Sequence, residues 1–177
     1  GIATAYAKEG ANLVITGRNV KKLEDAKEEL ERLYGIKVLP VQADVSAGAD
    51  NEATVQNVVK QAIDTFGRID VLINNAQASA SGVTIADHTT DQFNLAMYSG
   101  VYAVFYYMQA CYPYLKETKG SVINFASGAG LFRKLRAVRI CSGKRRDSWT
   151  FQSRCNRVGT RRNQCQYRMP ARMDSAA

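Results

Sequence analysis

Four short apolar runs, each closing on small or polar residues, alternate with stretches of helical periodicity, and this alternation limits what the chain can fold into. The runs occupy 11–16, 37–42, 69–73 and 120–125. Between the first two, Val20 to Tyr34 puts Leu23, Ala26, Leu30 and Leu33 on one helical face, with charges elsewhere. Asn19 stands where an N-cap belongs and Gly35 where a left-handed C-cap belongs. A second helix is predicted from about Asn51 to Phe66, closed by Gly67, and a long third from about Asp91 to Leu115. Gly1 to Glu9 reads as the first turns of a helix whose preceding strand lies outside the chain. Strands that are apolar along their whole length are covered on both faces, which predicts a doubly wound, mostly parallel α/β sheet.

In such sheets ligands sit beyond the carboxyl ends of the strands. The segments at those ends are Gly17-Arg18, Asp44-Val45, Asn74-Asn75-Ala76 and Ala126-Ser127-Gly128. All four are polar or small where the strands are not. At these places the sequence resembles the short-chain dehydrogenase/reductase family. Gly1-Ile2-Ala3 resembles the end of its T-G-x-x-x-G-I-G phosphate loop, and Asp44-Val45 its adenine-contacting pair. Asn74-Asn75-Ala76-Gln77 resembles its N-N-A-G, and Ile123 to Ser127 the strand that carries its catalytic serine. The resemblance spans residues 1–132 in order and spacing. It implies an incomplete, Rossmann-like doubly wound parallel sheet followed by an irregular basic tail.

Each segment has a physical role in that setting. A glycine turn into a helix offers backbone N–H groups and the helix dipole to a pyrophosphate, here through Gly1 and Ile2. After the second strand of a dinucleotide fold, an acidic residue holds the ribose 2′-hydroxyl whereas an arginine accommodates a 2′-phosphate. Gly17 occupies the acidic position and Arg18 follows, beside Asn19, so NADP(H) is favoured over NAD(H). Asp44 is positioned to accept from the adenine amino group, with Val45 against the ring. Asn74 and Asn75 carry amides suited to tying strand ends together and, with Ala76, to lining the nicotinamide side. Gln77 departs from the family's glycine.

The resemblance also implies that Ser127 hydrogen-bonds a substrate carbonyl while a tyrosine, its pKa lowered by a lysine four residues later, exchanges the proton. The family's tyrosine is due about thirteen residues after Ser127, but that position is Ile140; Lys144 stands at the lysine position. Tyr112 and Lys116 match the spacing by letters but precede the serine strand. Met97 stands three residues before Gly100, where the family often has asparagine.

The formal charge of +8 conceals a break. Residues 1–132 hold 11 Lys and Arg against 14 Asp and Glu, whereas residues 133–177 hold 13 against 2. Reading the tail's codons one nucleotide later permits Y-A-A-A-K at the expected spacing, followed by I-N-V-N and a C-P-L-A-W-T continuation. A frameshift near 132–134 accounts for both observations. The expected organisation is a partial dinucleotide-binding domain, 1–132, and a non-homologous tail, 133–177. The tail holds no strand-like apolar run, so the edge of the last strand should lie open, and the chain is expected to be an inactive fragment of an enzyme acting on a small-molecule carbonyl or alcohol.

Two other readings compete. The basic tail could meet nucleic acid through Arg139, Arg145, Arg146, Arg161 and Arg162, but they form no helical stripe, and nucleic acid is disfavoured. A catalytically dead partner subunit could use the aromatic helix containing Tyr102, Phe105, Tyr106 and Tyr107, since intact relatives are expected to be homo-oligomers. No apolar run approaches the roughly 18 residues of a membrane span, and no leader opens the chain, so no membrane and a cytoplasmic location are expected. One His and four Cys without ligand spacing argue against a metal site.

Overall fold

A computed structural model of the chain describes residues 1–46, 48–80 and 82–126, together with the backbone of 164–168. Helix α1 (Ile2–Lys8) leads to strand β1 (Leu13–Gly17), helix α2 (Val20–Tyr34) and strand β2 (Val38–Gln42). The Asn19 side chain accepts from the Lys22 amide at 3.0 Å, and Gly35 closes α2 at φ 65°. Both ends of this helix therefore follow from local chemistry. Its buried face is narrower than the periodicity suggests: Leu23 and Leu30 are buried, but Leu33 is 50% exposed.

A short 3-10 turn (Gly48–Asp50) opens α3 (Asn51–Phe66), which Gly67 ends at φ 70°. Strand β3 (Val71–Asn74) follows, and then the long helical stretch. The single helix expected over 91–115 is instead three pieces: α4 (Thr90–Met97), a π turn (Tyr98–Tyr102) and α5 (Ala103–Thr118). Strand β4 (Ser121–Phe125) completes the parallel part. Its start requires glycine, because a Cβ on Gly120 would lie 2.4 Å from the Asp70 carbonyl oxygen and 2.7 Å from Leu115 Cδ2.

The strands form two sheets. β1 pairs in parallel with β2, and β3 in parallel with β4, in register Val71↔Ser121 to Asn74↔Asn124. Contrary to the expectation of a bare edge, β5 (Gln164–Arg168) pairs antiparallel along β4. An edge strand needs only backbone pairing on one side, so the absence of an apolar run did not preclude it.

No backbone rung joins the two sheets among the described residues. The free edges of β1 and β3 both face a cleft of about 410 Å3 that α3 and α5 also line. Apolar packing takes over there. Val55, Val59, Cys111, Leu115 and Val122 bind α3 and α5 to the second sheet, while Val58 meets Val41 and Ala43 of the first. Of the aromatic residues in this helical stretch, Tyr107 packs into both clusters, whereas Tyr102 and Phe105 are 44% and 50% exposed.

Candidate functional site

The carboxyl ends of β1 and β2 come together first. Gln42 Nε2 donates to the Arg18 carbonyl at 3.1 Å, and the Ala43 amide donates to the Gly17 carbonyl at 2.9 Å. Asp44 then turns the chain: its Oδ1 accepts from the Ser46 amide at 2.9 Å and from the Ser46 hydroxyl at 2.5 Å. The Ser46 hydroxyl's hydrogen bond holds the Asp44 carboxyl below its ordinary 3.8. Burial opposes that shift, while the Ser46 amide and the Arg18 charge add to it. The Arg18 field therefore reaches Asp44, and both side chains border the same strand ends.

The second pair of tips is locked by a cross-strand bond. Asn74 Nδ2 donates to Asn124 Oδ1 at 2.8 Å, so the first asparagine ties neighbouring strand ends together as its amide chemistry suggested. Val45, Asn74, Asn75 and Ala76 line one cleft with Ser99, which brings the segments that follow β2 and β3 to a common space. Gly1, Ile2, Arg18, Asn19 and Asp44 lie outside that lining. Gly1 precedes α1, Ile2 is its first residue, and Asn19 serves as the cap of α2. Ser127 lies outside the described residues, as do Ile140 and Lys144.

Sequence reasoning missed Asn51 and Ser99, both fully buried, and the part that Gln77 plays. Where the family's glycine would stand, the Gln77 side chain lies on the π turn; a Cβ on Gly100 would come within 2.8 Å of Gln77 Nε2. A buried serine inside an amphipathic run carries no distinguishing signal, and Asn51 reads as an ordinary helix-opening residue.

Tyr107 and Cys111 are two of the titratable groups that line the cleft. Burial pushes the Tyr107 hydroxyl and the Cys111 thiol each up to about 12. Neither ionises near neutral pH, so neither replaces an activated tyrosine. Tyr112 and Lys116 lie outside the cleft lining. Among the described residues no group of three His, Cys, Asp or Glu is close enough to hold a metal, and no helix is long and apolar enough to cross a membrane.

Parallel strands flanked by helices, with polar tips gathered at their carboxyl ends, define an α/β fold of the Rossmann type. The family model for short chain dehydrogenase matches residues 1–144, and the chain belongs to that family. It is 70% identical over 132 residues to a 12alpha-hydroxysteroid dehydrogenase of Clostridium sp. (strain ATCC 29733 / VPI C48-50), covering 75% of this chain and 51% of that protein. The chain thus spans about half the length of the curated relatives it matches. Among solved structures, an alcohol dehydrogenase of the archaeon Thermococcus sibiricus complexed with 5-hydroxy-NADP superposes with a TM-score of 0.77 at 25% identity, covering 85% of this chain and 63% of that one. An NAD+-bound xylitol dehydrogenase superposes at 0.76 with 24% identity, over 86% of this chain and 58% of the other, and shows the shared fold.

Proposed function

We propose that this chain is the nucleotide-binding part of an oxidoreductase that transfers hydride between NADP(H) and a secondary alcohol or ketone, with hydroxysteroids as the substrate class of the whole protein. The observation that carries the substrate class is the 70% identity to a hydroxysteroid dehydrogenase. The cofactor, when bound, supplies or accepts the hydride. This chain's residues bind and orient it. Arg18 pairs with the 2′-phosphate in the absence of a carboxylate at Gly17. Asp44 accepts from the adenine amino group with the oxygen that Ser46 leaves open, and Val45 covers the ring. Asn74, Asn75 and Ala76 line the nicotinamide side, Gly1 and Ile2 meet the pyrophosphate, and Ser127 holds the substrate oxygen.

The 177-residue chain binds the nucleotide in this reading but does not turn it over, because Ile140 stands where the proton-transferring tyrosine is due. The tail from 133 onward is the product of a shifted reading frame. Fluorescence titration of the purified chain with NADPH and NADH tests the cofactor assignment: tighter NADPH binding is expected, and a preference for NADH overturns it. Steady NADPH oxidation with steroid ketones would refute the inactive-chain reading. The nucleotide sequence across codons 130–140 tests the shifted frame directly.

A further inference from the structure

The π turn Tyr98–Tyr102 touches both halves of the candidate cleft, and two side chains with 0% exposure make the contacts. Asn51, the first residue of α3, directs both amide hydrogens at carbonyls: Val45 at 2.8 Å and Tyr98 at 2.8 Å. Val45 belongs to the tip at the end of β2. Ser99 Oγ accepts from the Ala78 amide at 2.9 Å and donates to the Leu95 carbonyl at 2.7 Å. Ala78 continues the tip that begins at Asn74.

The same contacts account for the irregular helix. The Tyr98 carbonyl receives the Ala103 N–H, five residues on, as well as the Asn51 amide. Ser99 bonds back to the carbonyl four residues earlier, a pattern that bends helices. Single-turn π segments recur at functional sites because they re-aim neighbouring groups. Gly100 then lets the Gln77 side chain rest on the turn.

Resting on the nucleotide-site reading above, we propose that Asn51 and Ser99 are positioning residues, which act through the π turn to fix the separation between the Val45 tip and the Asn75–Ala78 tip. A ligand that touches one tip is indifferent to that separation. A dinucleotide that spans both is not.

The test compares NADPH with 2′,5′-ADP, which carries only the adenosine half, on the wild-type chain and on Ser99→Ala and Asn51→Ala. Loss of one buried hydrogen bond corresponds to about tenfold in an equilibrium, so Ser99→Ala is expected to weaken NADPH by about that factor and to leave 2′,5′-ADP unchanged. Asn51→Ala is expected to weaken NADPH more than 2′,5′-ADP. Equal loss for both ligands, the signature of general destabilisation, overturns the proposal, as does no loss.

Amide hydrogen exchange without nucleotide gives a second readout, with the amides of α2 as internal reference. Exchange at Ala78 should accelerate in Ser99→Ala and also in Asn51→Ala, although Asn51 does not bond Ala78. An unchanged Ala78 rate in Asn51→Ala overturns the coupling. A wild-type chain that binds neither nucleotide would defeat the proposed function, while the exchange comparison would still decide the fate of the network.

Discussion

Asn74 and Asn124 are register partners on parallel strands, and their side chains repeat the pairing of their backbones: Nδ2 of the first donates to Oδ1 of the second at 2.8 Å. Asn74 is 8% exposed, so water does not replace a lost partner cheaply. Asn124→Ala is therefore expected to destabilise the chain by about 1–3 kcal/mol, the cost of a buried donor left unmade. Urea unfolding measures it. In a double-mutant cycle with Asn74→Ala, the second substitution should cost much less once the first is present.

Gly17 and Arg18 set the sign of charge at the end of β1. The atoms nearest to a Cβ on Gly17 would belong to the Leu23 side chain, at 3.4 Å and beyond, so Gly17→Asp tests charge rather than strain. In the NADP(H) reading, Gly17→Asp and Arg18→Ala should each weaken NADPH by about tenfold or more relative to NADH, the scale of one charge-assisted bond. Paired fluorescence titrations check this; an unchanged NADPH-to-NADH ratio would remove Arg18 from the cofactor site.

Asp44 makes the chain's stability depend on pH in one direction. Its carboxyl titrates lower in the folded chain than its ordinary 3.8, through the Ser46 hydroxyl first. The folded state therefore gains stability above the unfolded value and loses it as pH falls through the folded one. Denaturation midpoints should drop with decreasing pH below 3.8, and Ser46→Ala should flatten that dependence by raising the folded value toward the ordinary one. An identical pH slope in the variant would contradict the assignment.

Gly120 should tolerate no side chain. Alanine there would press its Cβ against the Asp70 carbonyl, which is backbone and cannot swing aside. Gly120→Ala is expected to cost about 3 kcal/mol, the upper range for overpacking, and thermal unfolding measures it.

Among the described residues one edge of β3 is unpaired, and that strand carries Val71, which is 37% exposed. Free strand edges pair with other chains unless a charge interrupts them. Val71→Lys should slow aggregation of the purified chain, followed by light scattering at fixed concentration. Faster aggregation would mean that the strand's inward packing outweighs its open edge.

What could be read from the sequence was what local chemistry decides. Asn19, Gly35 and Gly67 mark helix ends because capping involves residues within a few positions of each other, and the structure follows them. The apolar runs gave the strands, and the polar residues after them gave the tips. The break in the long helix could not be read in this way. The Tyr98 carbonyl at its start is bonded by Asn51, which lies 47 residues away in sequence. Strand β5 was equally hidden, since its pairing to β4 rests on backbone groups that every sequence possesses. Leu33 shows the opposite error: periodicity put it on the buried face, but α2 turns Leu30 and Tyr34 to the core and leaves Leu33 half exposed.

The gap between the two sheets has a mechanical meaning. Across an unbroken sheet, load passes through a ladder of backbone bonds that yields as one unit. Among the described residues, α3 and α5 join the β1–β2 half to the β3–β4 half by side-chain packing and the two Asn51 hydrogen bonds rather than by backbone rungs, and such contacts should slide at lower force than a ladder. Stretched from its two halves, the molecule should part along the cleft first, with each half holding its own secondary structure until a later, separate rupture.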